Sequence, residues 1–343
     1  MSRKEGHSMI NYSFNSMFAP FMQSFLGIKK TMGFGTVKIE YIFKEFDLFF
    51  IKENVTEPVL TKALIIKWRN GRVNETERTL YDKWSIISQF ARYMCHIGYP
   101  CYVPRLPKRN FGTYIPYVFS HEQMQEIFCA SDALAMIYSN MASKMFSIPA
   151  ILRLLYSTGM RVSEAVSLKN SDLDLNNNTI LIRRTKNQQQ RLIPLNTSLK
   201  QVLFQYIEYR NQLPLLKILD AESHFFISPS GFPLNKGNVY VWFKKVLKQC
   251  GIPHLGRNHG PRTHDLRHTC AVHSLMAQVK AGADIYCVLP VLSTFLGHKT
   301  LMGTERYVRL TQEMYPDIIE MEQSISSFIF PSISKIIRTN EKE

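Results

Sequence analysis

The chain has 343 residues, a formal net charge of +15 and a hydrophobic share of 45%. That share excludes intrinsic disorder, and the length exceeds what one core normally fills, so two domains are expected. No uncharged apolar run is long enough to span a bilayer, and the polar start MSRKEGHS leads into no signal-like core.

The positive charge is spread along the chain. Residues 1–113 carry 17 basic and 9 acidic side chains, and the remaining 230 carry 25 and 18. A chain basic in both halves favours a polyanionic partner, and nucleic acid is the commonest. The six cysteines form no CxxC pair, which excludes a zinc ribbon or a thioredoxin-like site. A chain of this length needs no disulfide staples, so reduced thiols in a cytosol fit best.

Residues 9–98 read as about four helices. Apolar runs cover Phe18–Leu26, Ile42–Phe50 and Leu60–Trp68. Asn74 and Glu77 suggest a capping box before a run with Trp84, Ile87, Ala91 and Met94, which Gly98 and Pro100 stop. Residues 99–117, with four prolines and three basic residues, read as an extended linker able to lie along a phosphate backbone or simply to connect.

A second domain begins at about residue 118. Ser120 and Gln123 predict a capping box, and further helices are expected at 131–157 and 160–169. Thr179–Thr185 and Arg191–Leu195 read as a β-hairpin around the polar turn at 186–190. The rest reads as helical, with Pro290 suited to a first helical turn and Gly297 to a helix end. The fold class is therefore mainly α with one small β-hairpin.

Five stretches of this domain could carry chemistry, though each has an ordinary structural reading. In LLYSTGMRVSEAVSL, Glu164 stands three residues after Arg161 and could hold its guanidinium rigid, or form a plain surface pair. Lys186 lies at the hairpin tip. His264 and Arg267 share a helix face in HDLRHT, with His268 a candidate structural histidine. His298 follows Gly297, and Tyr307 lies in TERYVRL. His264 and His268 have metal-like spacing, but without an HExxH pattern no metal is expected.

Together these residues suit one reaction. Two guanidiniums can clamp the non-bridging oxygens of a phosphodiester. Histidines can hydrogen-bond the same oxygens or move protons, a lysine can protonate a leaving oxygen, and a tyrosine can attack phosphorus. Protein cations take the place of a metal, so no cofactor is required.

This ordered set resembles the tyrosine recombinase (phage integrase) family over about residues 118–312. The matching stretches are LLYSTGMRVSEAVSL, TKNQQQRLIPL, HDLRHT, LGHKT and ERY. The resemblance implies Arg161 and Arg267 as phosphate clamps and Lys186 as general acid. It also implies His264 and His298 as proton and hydrogen-bond partners, Tyr307 as nucleophile and Glu164 as support for Arg161. It further implies a helical core-binding DNA domain at 1–98, a basic linker at 99–117 and an α+β catalytic domain at 118–312.

The implied function is site-specific recombination through a covalent 3′-phosphotyrosine. The implied partner is double-stranded DNA, held by a homotetramer or a mixed tetramer with related recombinases on two duplexes. Residues preceding the first helix are too few for an arm-binding domain, and 277–295 reads as longer than the family's usual stretch. The tail at 313–343 has apolar residues Ile318, Met321, Ile325 and Phe328 on one helical face, which suits packing on a neighbouring protomer or on its own core. Cytoplasmic location at the nucleoid follows. A type IB topoisomerase-like nicking-closing enzyme and a DNA-binding regulator that no longer cuts are the competing readings.

Overall fold

A computed structural model describes residues 12–314 apart from 73, 108–114, 136–142, 184–189, 254–259 and 299. Lys186 and the tail beyond 314 lie outside the described residues. The chain divides into two compact units, Met1–Tyr114 and Ile115–Glu343.

The first unit contains four helices among its described residues: α1 Ala19–Thr31, α2 Val37–Lys52, α3 Lys62–Asn70 and α4 Glu77–His96. Their apolar faces supply an aromatic core in which Phe18 stacks on Phe50 at 4.2 Å and Phe43 meets Phe90 at 4.9 Å. Buried Asp47 accepts hydrogen bonds from the backbone of Asn15 and Ser16, which ties the segment before α1 to α2. Buried Lys83 sits between Glu45 and Glu75, so its charge is compensated where water cannot reach it.

Two expectations for this unit change. The cap of α4 is Thr76, whose hydroxyl accepts from Thr79 N, so Glu77 is the first helical residue and no Asn74–Glu77 box forms. The stretch after α4 does not begin as a connector. Tyr99, Cys101 and Val103 pack against the aromatic core, and Tyr102 N donates to Leu60 O.

The second unit begins with α5, His121–Asp132, and the Ser120–Gln123 box is present. Among the described residues of 131–157, α5 ends at Asp132 and α6 runs from Ile148 to Thr158. Pro149 lacks an N–H and suits a first turn, so the helix starts there. The helix expected over 160–169 shrinks to α7, Val162–Ala165. The hairpin becomes a three-stranded antiparallel sheet, β1 Leu173–Asp174, β2 Thr179–Ile182 and β3 Arg191–Pro194, in that order. Ile180 faces Ile193 across the pair, and both are buried in the core. Then follow α8 Thr197–Asn211, α9 Lys236–Gln249, α10 Asp265–Lys280, α11 Ile285–Leu296 and α12 Met302–Met314.

Pro290 lies inside α11 rather than at its start, because the Asp284 carboxylate caps the backbone of Tyr286 and Cys287 and starts the helix earlier. Pro290 cannot bond back to the Tyr286 carbonyl. Both residues are exposed, so water can satisfy that carbonyl.

Helix α10 joins two cores. Leu266 belongs to the one formed by α5, α6, α8, α9 and the sheet. Ala271, Val272, Leu275 and Met276 belong to the one shared with α11 and α12. Every α10 residue from Asp265 to His273 is buried, which fixes the backbone that carries Arg267 and His268.

At the far end of that buried run, the His273 ring stacks on His121 at 3.9 Å, and its Nδ1 lies 2.8 Å from the Tyr156 hydroxyl. Burial, helped by the nearby His121 charge, pushes His273 down to about 4, against 6.5 for an ordinary histidine. The unfolded chain therefore binds the extra proton first as the pH drops. Stability is complete above pH 6.5 and falls as the pH decreases toward about 4. Thermal unfolding between pH 7 and 4 should show this loss, and His273→Gln should remove that part of it. An unchanged acid profile in the variant would contradict the assignment.

Candidate active site

The site starts at the end of α6. Gly159 adopts a left-handed conformation with φ +58, and a Cβ there would come within 2.7 Å of the Leu296 side chain and 3.2 Å of Cys270 Sγ. A glycine is needed on both counts. The close approach brings the Gly159 carbonyl onto the Arg267 guanidinium: Nη1 donates to Gly159 O and Nη2 to Leu296 O, each at 2.8 Å. Those carbonyls end α6 and α11, where helix dipoles concentrate partial negative charge. Arg267 is 2% exposed. Burial pulls it down to about 10; Arg161 and Arg191 push the same way, while Tyr307 and Glu164 oppose them. At neutral pH it is still a cation.

Glu164 is the carboxylate of the cluster and is itself buried. It accepts from Arg161 Nη1 at 2.7 Å, from Arg161 N at 3.0 Å and from Arg191 Nη2 at 2.8 Å. Burial alone would raise its pKa, but the bonds from Arg191 and Arg161 and the Arg191 charge hold the carboxyl below its ordinary range. Arg161 precedes α7 as its cap residue, so the three-residue spacing seen in the sequence is a cap geometry rather than a helix-face pair. Its side chain is still 19% exposed, and Nη2 reaches toward Gly297 O at 3.4 Å. Two guanidiniums thus share one carboxylate, and Arg267 lies close enough to feel both of them and Glu164, so the cluster carries a surplus of positive charge.

Gly297, left-handed at φ +68, ends α11 and turns the chain toward His298. A Cβ there would meet Arg191 Nη1 at 2.8 Å. His298 Nδ1 lies 2.7 Å from Thr304 Oγ1, and its ring lies nearly parallel to that of Tyr307 at 6.1 Å. Tyr307, on α12, is 1% exposed. Its ring joins the α10–α12 core, but its hydroxyl is 3.0 Å from His268 Nδ1 and close enough to influence the Arg267 charge. His264, just before α10, is exposed, and its ring centre is 4.8 Å from that of His268. Of the residues singled out from sequence, Arg161, Glu164, Arg267, His298, Tyr307 and His264 are therefore gathered on this one region of the second unit.

Two members of the cluster were passed over. Arg191 was legible in principle. It is two residues before buried Ile193 on β3, so strand alternation turns it inward, where a charge needs a partner. His268 had been set aside as structural, and nothing in its spacing points at residue 307.

The model of the phage integrase family matches residues 118–314. The chain belongs to this family. It is a tyrosine recombinase, an enzyme of site-specific DNA strand transfer. It is 28% identical to a putative integrase/recombinase, y4rB, of Sinorhizobium fredii, over 87% of this chain and 95% of that protein. It is 31% identical to tyrosine recombinase XerC of Bacillus licheniformis, over 76% of this chain and 79% of that protein. In fold, the recombinase is similar to a lambda integrase whose structure is a tetramer bound to a Holliday junction, with TM-score 0.58, 18% identity and coverage of 87% and 83% of the two chains. Among the described residues, no helix is long and apolar enough to cross a membrane.

The Arg191–Glu164–Arg161 arrangement makes a stability prediction for this recombinase. Arg191→Ala leaves the buried carboxylate with one guanidinium and the Phe295 carbonyl without its Arg191 Nε donor. It should cost about 1–3 kcal/mol. Arg191→Lys should recover little, since one ammonium cannot replace the fork. Urea unfolding reads both variants, and unchanged midpoints would argue against the network.

Proposed function

We propose that Tyr307 attacks one strand of duplex DNA and forms a 3′-phosphotyrosine, and that Lys186 protonates the departing 5′ oxygen to give a 5′ hydroxyl. Arg161 and Arg267 hold the non-bridging oxygens, and Glu164 keeps Arg161 aimed. His264 and His298 add hydrogen bonds and proton transfer at the same phosphate. The observation that carries this reading is the surplus of guanidinium charge, balanced by a single carboxylate, beside the Tyr307 hydroxyl. Tyr307 and Arg267 are both buried in the free chain. A phosphodiester reaches them only when bound DNA loosens the packing of α12, which would make the free protein a poor nuclease.

In this reading residues 1–98 form a core-binding domain, 99–117 a linker and 118–312 the catalytic domain. Double-stranded DNA is the partner, and the net charge of +15 supplies its electrostatic attraction. Four copies, alone or mixed with a related recombinase, act on two duplexes, as the lambda integrase likeness suggests. The protein works in the cytoplasm at the nucleoid.

A suicide duplex, nicked near the cleavage point so that the cut strand escapes, tests the chemistry. The native chain should form a covalent protein–DNA adduct and Tyr307→Phe none. Arg161→Ala should slow adduct formation by about 10²-fold or more while changing DNA affinity far less, because a clamp acts mainly in the transition state. Equal losses in binding and cleavage would count against the clamp. DNA affinity itself should drop steeply with salt, with a log–log slope set by several neutralised phosphates; a flat response would contradict the electrostatic footprint.

A further inference from the structure

Tyrosine attack on a phosphodiester requires that the phenolic proton go somewhere. A phenol has a pKa near 10 and is almost entirely protonated at neutral pH. Arg161, Arg191 and Arg267 are donors only and cannot accept that proton. His298 engages Thr304 through Nδ1, and its ring lies alongside that of Tyr307. His264 is exposed just before α10, with its ring centre 4.8 Å from that of His268. The nitrogen that lies against the reacting oxygen is Nδ1 of His268, at 3.0 Å. His268 is 2% exposed and follows Arg267 directly on the most deeply buried stretch of α10.

We propose that His268 is a further catalytic residue of this recombinase, the base that accepts the Tyr307 phenolic proton. The inference rests on Tyr307 being the nucleophile. As the phenolic oxygen bonds to phosphorus, its O–H bond breaks and the proton moves to His268 Nδ1. The bond from phosphorus to the 5′ oxygen breaks, and that oxygen takes its proton from Lys186. On rejoining, the 5′ hydroxyl of the incoming strand returns a proton to Lys186, and His268 Nδ1 gives its proton back to the phenolic oxygen. No proton is gained or lost over the cycle. The imidazolium formed in between is buried and has His264 as its ring neighbour, so burial disfavours its charge and it returns the proton readily. A reversible strand exchange needs a base of that kind, one that does not keep its proton.

The first measurement uses the folded native chain with ¹⁵N-labelled histidine. His268 Nδ1 should carry the nitrogen shift of an unprotonated acceptor, and Tyr307→Phe should move it. A protonated Nδ1 would make His268 the donor and overturn the proposal. The second is single-turnover cleavage of the suicide duplex. His268→Asn should slow adduct formation by about 10²- to 10⁴-fold with DNA affinity kept within about threefold. Replacing Tyr307 by difluorotyrosine, a more acidic phenol, in that variant should restore at least about tenfold of the loss, because an ionised nucleophile needs no base. A purely structural histidine would give a defect that the acidity of residue 307 does not touch, and that result, or native-rate cleavage by His268→Asn, would overturn the proposal. An adduct formed by Tyr307→Phe would instead defeat the nucleophile assignment on which it rests.

Discussion

The arrangement of the second unit depends on one buried cation. Arg267 has lost most of its contact with water, yet among the described residues no carboxylate bonds to it. Its two hydrogen bonds go to the last carbonyls of α6 and α11, so the negative ends of two helices stand in for a counter-ion. That solution sets strict terms for the backbone. Both helices must end at the guanidinium, and the chain must leave each end at once. Gly159 and Gly297 make those exits possible: both are left-handed, and at both a Cβ would strike a neighbouring side chain. A site charged this way keeps its arginine cationic without spending its hydrogen bonds on an acidic side chain that would repel a phosphate.

Helix α10 turns this local solution into a complete site. One end of its buried run holds Arg267 and His268, with exposed His264 just before it, and its apolar residues reach into two cores. The same helix therefore fixes Arg267 and the hydroxyl partner of Tyr307 relative to each other. Tyr307 arrives on α12, and its ring is set by core packing while its oxygen is set by His268. Apolar burial and polar chemistry act on opposite ends of one side chain, as is usual for a buried tyrosine. The relation between Arg267 and Tyr307 thus depends on packing among α10, α11 and α12, and a core substitution in any of them can alter the chemistry without touching a polar group.

Much of this was legible from sequence. Periodic apolar runs located the helices of the first unit, and the Ser120–Gln123 box marked the start of α5. Errors came where local chemistry outweighs periodicity. Thr76 caps α4 because its own hydroxyl reaches Thr79 N, and Asp284 starts α11 early enough to leave Pro290 in its interior. The polar residues with distinctive local context, Arg161, Glu164, Arg267 and Tyr307, stood out, since short fixed spacings and recognisable surroundings carry them. Arg191 and His268 did not, because their partners are distant in the chain: 27 residues separate Arg191 from Glu164, and 39 separate His268 from Tyr307. Contacts of that length are made by the tertiary fold, and a linear pattern does not encode them.

In the proposed mechanism, the charge balance of the cluster also lets the chemistry run in both directions. Arg161 and Arg191 share Glu164, and Arg267 bonds only to carbonyls, so the cluster carries more positive than negative charge. A phosphodiester supplies one negative charge, and the pentacoordinate state through which it reacts carries more, so the guanidiniums gain most from the transition state. They gain equally whether a sugar oxygen or the phenol is leaving, because that state is common to cleavage and rejoining. Since the phosphotyrosine is itself a phosphodiester, the clamp faces the same charge before and after each step. Electrostatics alone therefore gives neither direction an advantage, and the outcome is decided by which 5′ hydroxyl lies within reach of the phosphorus.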